Sequence, residues 1–131
     1  MVQKLKKLYS DIDFNFTRTP GKNDIALSID EMAVVRSVRY LLLTKNFERP
    51  FQSNIGSRVE QLLFEPIGFL TAQDLKIEIE STLKNHEPRV SLVQITVDEQ
   101  VDKNSYSVSI EFYIGNNVQP TAINLILERT R

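Results

Sequence analysis

Three stretches in the middle of the chain repeat their apolar residues at helical spacing, and the C-terminal third changes to alternation. Val34, Val35, Val38, Leu41 and Leu42 follow an i, i+1, i+4, i+7, i+8 rhythm. Val59, Leu62 and Leu63 form a shorter set, and Ala72, Leu75, Ile79 and Leu83 a third. Each set lies on one face of a helix with 3.6 residues per turn. A hydroxyl residue with an acid three positions on precedes or opens each: Ser28 and Glu31, Ser57 and Glu60, Thr71 and Asp74. That spacing predicts capping boxes, in which the hydroxyl accepts from a free backbone N–H and the acid reaches back to the cap residue.

Val93, Ile95 and Val97 then alternate with polar neighbours, as do Tyr106, Val108, Ile110, Phe112 and Ile114, and later Ile123, Leu125 and Leu127. Turn-like separators, EQVDKN and GNNVQP, divide these runs. The pattern predicts a three-stranded antiparallel C-terminal meander with about three helices packed on one face, an α+β fold. Residues 1–24 read as an extended N-terminal arm, because Pro20-Gly21 and sparse periodicity mark loop. Leu5, Leu8, Tyr9, Ile12, Phe14 and Phe16 are too many apolar residues for a solvated tail. The arm is therefore expected to lie along a surface, its own domain's or a neighbour's. Residues 25–131 are expected to form a single domain.

Composition narrows the chemistry. The 131 residues are 41% hydrophobic and 25% charged, the values of a soluble globular chain. Sixteen Lys and Arg against seventeen Asp and Glu give a net charge of -1, which speaks against a general nucleic-acid binder. No cysteine is present and only one histidine, so neither thiolate chemistry nor a transition-metal site is expected. No apolar run approaches the roughly 20 residues that span a bilayer, so no membrane partner is expected. The opening residues, MVQKLKKLYSDIDFNF, lack the apolar core of a secretory signal.

Carboxylates are the only catalytic groups in quantity. Glu65, Asp74, Glu78, Glu80 and Glu87 offer candidates for a glycosidase pair. Glu78 and Glu80, however, lie two apart on one helix and read as solvated surface charges. There is also no tryptophan to serve as a sugar platform. Asp11 and Asp13 lack the third ligand of a divalent-cation site. His86 suits the negative end of a helix dipole and has no nucleophile motif beside it. The expectation is a protein without catalytic residues, cofactor or metal.

Two short segments and one strand stand out instead. Glu87, Pro88 and Arg89 follow the third helix; the proline stops it, yet an acid at a helix C-terminus opposes the dipole. Arg49-Pro50-Phe51 forms a loop that either packs Phe51 into the core or holds Arg49 and Phe51 toward a partner. The last strand is apolar on both faces, with Ile123, Leu125 and Leu127 on one and Ala122 and Ile126 on the other. An edge of that kind is a liability unless something covers it: a partner's strand, the N-terminal arm or a helix.

Taken together, LYSDIDFNF (8–16), ERPFQSNIGSRVEQLLFEP (48–66), TAQDLKIEIESTLKNHEPRV (71–90) and the three-strand ending resemble the small baseplate wedge proteins of contractile-tailed phages. Relatives of that family occur in bacterial type VI secretion and other contractile injection systems. The resemblance implies a non-enzymatic structural subunit of the virion tail baseplate that initiates the sheath. Its expected partners are the larger wedge subunits, the tail sheath protein and, further, the tail tube or hub. It implies that Glu87, Pro88 and Arg89 meet the helical bundle of the larger wedge subunits. Ile123, Leu125, Ile126 and Leu127 would belong to the strands on which the sheath docks by strand exchange. Many relatives have glycine before the Arg-Pro-Phe loop, where this chain has Asn46-Phe47-Glu48. Members of the family have also been labelled lysozyme-like; the alternatives to the structural role are thus a peptidoglycan-cleaving enzyme using Glu65 or Glu87, and the equivalent subunit of a bacterial injection system.

Overall fold

The computed structural model describes residues 9–129, so Leu5 and Leu8 of the expected arm lie outside the described residues. Along the chain come β1 (Ser10–Ile12), β2 (Leu27–Ile29), α1 (Asp30–Leu43), α2 (Val59–Leu63), α3 (Phe69–His86), β3 (Val90–Gln100), a 3-10 turn (Val101–Lys103), β4 (Ser105–Ile114) and β5 (Thr121–Glu128). The α+β class, the three helices and the C-terminal meander in the order β3-β4-β5 are those the apolar pattern predicts. Every apolar residue of β4's inward face is buried: Tyr106, Val108, Ile110, Phe112 and Ile114. Ile123, Leu125 and Leu127 join them from β5, and Leu75, Ile79 and Leu83 from α3. Each fully buried aliphatic side chain stabilises the fold by about 1.5–3 kcal/mol relative to exposure.

Strict alternation fails once. Val93 is expected on the core face but is 49% exposed. The register shifts between Leu92 and Gln94, where Leu92 pairs with Phe112 and Gln94 with Glu111. The extra residue is a β-bulge at Val93; it turns that side chain out and lets Leu92 pack on the core instead.

None of the three expected capping boxes forms; no N-cap residue of the three helices makes a side-chain cap bond. Each hydroxyl has a different task. Ser57 Oγ donates to the Leu42 carbonyl at 2.7 Å. Thr71 lies inside α3, which starts earlier than expected, at Phe69; its hydroxyl donates to the Pro66 carbonyl at 2.8 Å. Ser28 Oγ is buried in β2. A long-range acid serves the start of α2 instead: Glu78 accepts from the Arg58 backbone N–H at 2.9 Å and from its guanidinium at 3.2 Å. With only 14% of its side chain exposed, Glu78 is not the solvated charge its spacing predicts.

The expected arm is more ordered than its composition indicates. β1 pairs antiparallel with β2, and the residue-24 boundary falls near the tip of this hairpin, where Arg18 bridges Ile25. Tyr9 packs against the core while Ile12, Phe14 and Phe16 stay exposed.

Between α1 and α2, residues 44–57 form a loop whose ends are tied together. The Ser57 N–H donates to the Thr44 carbonyl at 2.8 Å. Gly56 has φ +151°, and a Cβ there would lie 2.6 Å from the Lys45 carbonyl oxygen. Gly56→Ala is therefore expected to destabilise the fold by roughly 2–3 kcal/mol, read by thermal or denaturant unfolding. An unchanged midpoint would show that the loop can be re-formed without cost.

Candidate functional site

The junction after α3 is built around a buried carboxylate. Pro88 cannot continue a helix, and it fixes the turn that brings Arg89 back over Glu87. Glu87 is only 3% exposed. Its two oxygens accept from Arg89 Nε at 2.7 Å and Nη2 at 2.9 Å, a bidentate pair, while Ser37 Oγ of α1 donates to Oε2 at 2.5 Å. Burial by itself would raise the Glu87 pKa. The hydrogen bonds from Arg89 and Ser37, with the guanidinium charge, outweigh burial and hold the carboxylate below its ordinary range. The same pairing raises Arg89.

Arg89 then reaches the hairpin. Its guanidinium stands 5.5 Å from the Tyr9 ring centroid and 3.7 Å from Asp11 Oδ2. Four elements therefore meet at the Glu87–Arg89 pair: α1 through Ser37 on the carboxylate, the end of α3 through Glu87, the start of β3 through Arg89, and the hairpin through Tyr9 and Asp11. Nearby, Asp13 accepts from Thr17 Oγ1 at 2.6 Å, from the Asn15 N–H at 3.3 Å and from Arg36. These bonds, Thr17's first, lower its pKa. Asp11 and Asp13 thus serve two separate ion pairs. Among the described residues no cluster of three or more metal-ligating side chains exists.

The structure therefore gives Glu87 a partner inside the chain, the domain-internal salt bridge that the Glu-Pro-Arg sequence also allows. Pro88 is exposed, and Arg89 keeps 24% of its side chain accessible. A groove of about 540 Å³ runs beside the clamp, bordered by Asp11, Phe14, Ser37, Tyr40, Arg49 and His86.

The second candidate surface is the sheet edge. Ile123, Leu125 and Leu127 point into the core, and only Ile126, 66% exposed, faces outward. Of the four residues assigned to sheath docking, three thus hold the strand in place and one is presented. Among the described residues no strand pairs with the outer edge of β5, and β1 and β2 form a separate sheet. The opposite edge, β3, carries the bulge at Val93 and packs against α3. Alongside the end of β5 a second groove, about 420 Å³, is walled by Leu43, Lys45, Val59, Leu63, Leu127 and Glu128.

The remaining candidates do not join these surfaces into an active site. Glu65 is exposed after α2, Glu80 pairs with Lys84 at 2.6 Å, and Asp74 is exposed on α3. Phe51 is fully exposed rather than packed in the core. Where many relatives have glycine, the positive φ near the Arg-Pro-Phe loop falls on Phe47 (68°), and a second one on Phe51 (66°).

The chain matches known proteins by family model, by sequence and by structure. The family model described as baseplate wedge protein gp25 matches residues 29–119. The baseplate wedge protein gp25 of Enterobacteria phage T4 is 31% identical over 113 residues, covering 86% of this chain and 85% of that protein. Among solved structures, a Geobacter sulfurreducens protein described as a tail lysozyme superposes with a TM-score of 0.73 at 20% identity, covering 82% of this chain and 97% of the other. A chain of the anti-feeding prophage baseplate does so at 0.65 and 19% identity, covering 94% and 87%. The two structural likenesses show the fold.

Arg89→Ala is expected to cost about 3 kcal/mol, the low end for breaking a buried pair, because the guanidinium is partly exposed. In a Glu87→Gln background the same change should cost clearly less; equal costs would mean that the two residues are uncoupled. The folded Glu87 titrates below its unfolded value. The stability it supplies is thus complete above the ordinary carboxylate range and is lost as pH falls through the lowered folded value. Glu87→Gln should flatten that acid limb of the stability curve, and an unaltered limb would contradict the assignment.

Proposed function

Since the chain belongs to the baseplate wedge protein gp25 family, we propose that it joins the wedge of a contractile tail to the sheath and starts sheath assembly at its β5 edge. The carrying observation is the asymmetry of the sheet. Among the described residues β5 presents a regular row of backbone donors and acceptors with no strand paired to it, whereas β3 is bulged and packed by α3. An incoming strand on β5 gains main-chain hydrogen bonds, and its side chains gain the groove beside Leu43 and Leu63. Ile123, Leu125 and Leu127 fix the position of that template, and Ile126 meets the incoming chain.

The wedge side of the proposal is the turn at Glu87, Pro88 and Arg89. Glu87 acts from behind as a positioning residue: it holds the guanidinium of Arg89 in one orientation, while Pro88 and the accessible part of Arg89 meet the larger wedge subunits. A preorganised planar guanidinium favours specific over merely attractive contact. The T4 relative supports placing the chain in a virion tail baseplate; the same mechanics would serve an injection system.

The reading is structural rather than enzymatic. A glycosidase general acid needs a raised pKa, and Glu87 has a lowered one, spent on Arg89 and Ser37. Purified chain should leave cell-wall turbidity unchanged; clearance abolished by Glu65→Gln or Glu87→Gln would reverse this.

Removing β5 would also remove Ile123, Leu125 and Leu127 from the core, so an edge substitution is the cleaner test. Lysines at the exposed Asn124 and Ile126 blunt a strand edge without entering the core. Asn124→Lys with Ile126→Lys, each change worth up to about 1 kcal/mol, should lower sheath initiation roughly tenfold while the variant still enters wedges. Normal sheath on such baseplates would remove β5 as the template.

A further inference from the structure

The clamp and the sheet edge leave the tip of the 44–57 loop without a role. Phe47 is 82% exposed and Phe51 fully so. Both sit in the left-handed region, at φ 68° and 66°, where bulky side chains are rare and strained. Glycine or asparagine would occupy either position more easily, and neither ring covers any of the chain's own core.

The strain is held by a rigid base. The Phe47 N–H donates to Ser53 at 3.0 Å, Gln52 to Arg49 at 3.4 Å and Ile55 to Gln52 at 3.1 Å. Lys45 is fixed by Glu60 at 2.8 Å, and Glu48 accepts from the Lys45 N–H at 2.8 Å. The other charges of the loop are thus engaged. Arg49, between the two rings, makes no ion pair among the described residues. Two exposed phenylalanines flanking an arginine in sequence, with no ion pair on that arginine among the described residues, match the aromatic and Arg enrichment of interface cores. The surface is also continuous with the clamp, because Arg49 forms one wall of the groove that Asp11 and Ser37 border.

We propose that this loop is a third contact of the chain: a plug whose two phenyl rings seat in an apolar, carboxylate-rimmed pocket on a neighbouring protein subunit of the baseplate. One unpaired cation fits a single acidic rim. A lipid surface calls for a basic cluster, and here Glu48 stands beside Arg49. The proposal does not depend on strand exchange at β5.

The test is site-specific photocrosslinking of the full chain in assembled particles. A benzoylphenylalanine is introduced in place of Phe51 and, separately, of Phe47. Crosslinks to a segment of another subunit that carries aliphatic residues flanked by Asp or Glu are expected. Phe47→Gly combined with Phe51→Gly should keep or raise thermal stability, because the strain is relieved, yet lower incorporation into baseplates about tenfold. Arg49→Glu should do the same, and Arg49→Lys should retain more incorporation. Particles that do assemble with these variants should initiate sheath normally, which separates this contact from the β5 reading. Normal incorporation of the double glycine variant would overturn the proposal. So would crosslinks confined to the chain itself, or crosslinking to phosphatidylglycerol–phosphatidylcholine vesicles in place of a subunit.

Discussion

A buried carboxylate must be paired, and the way Glu87 meets that requirement organises the molecule. At 3% exposure an unpartnered charge there would cost several kcal/mol, so Arg89 and Ser37 are obligatory neighbours. Once Arg89 is fixed by Glu87, its remaining surface is fixed too, and Tyr9 and Asp11 bring the hairpin against it. One pair therefore sets the end of α3, the entry to β3, the approach of α1 and the lie of the N-terminal segment. The clamp thus ties four elements together at one point, and under the proposed role it would hold the wedge-facing turn fixed relative to the sheet.

The sheet shows the complementary logic. Its inward face is a continuous apolar layer, so its register is strongly specified; a one-residue slip would turn Phe112 and Ile110 to solvent. Its two edges are treated differently. The β3 edge is bulged and packed by α3, whereas the β5 edge is left regular, with apolar Ile126 outward and an apolar groove beside it. Open edges are hazards in a free protein and assets in one that assembles. With a stiff core behind β5, a strand arriving there would meet a template already in its bound geometry.

The features legible in the sequence were those carried by period. Helical faces and strand alternation are written in many residues at once, so the elements and most of the core followed from Val34 through Leu127. Val93 escaped because a bulge changes the phase without changing the composition. The capping boxes failed because Ser57 and Thr71 found nearer carbonyl acceptors and Glu78 supplied the start of α2 from α3, a tertiary choice invisible in local spacing. The Glu87–Arg89 motif allows either a partner contact or a salt bridge within the domain, and the structure forms the internal bridge. The two residues lie two apart in sequence, yet the depth of Glu87 depends on Ser37, fifty positions away. Phe47 gave no signal at all, since its left-handed backbone is imposed by the closure of its loop.

Backbone amide exchange reads the outer edge of β5 directly. In the isolated chain, amides of Thr121–Glu128 that do not face β4 should exchange quickly, while those paired with β4 are protected. When the baseplate receives its first sheath ring, the outward amides should become protected and those of β3 should not change. Unchanged exchange along β5, or new protection appearing on β3 instead, would show that the sheath does not start on the β5 edge.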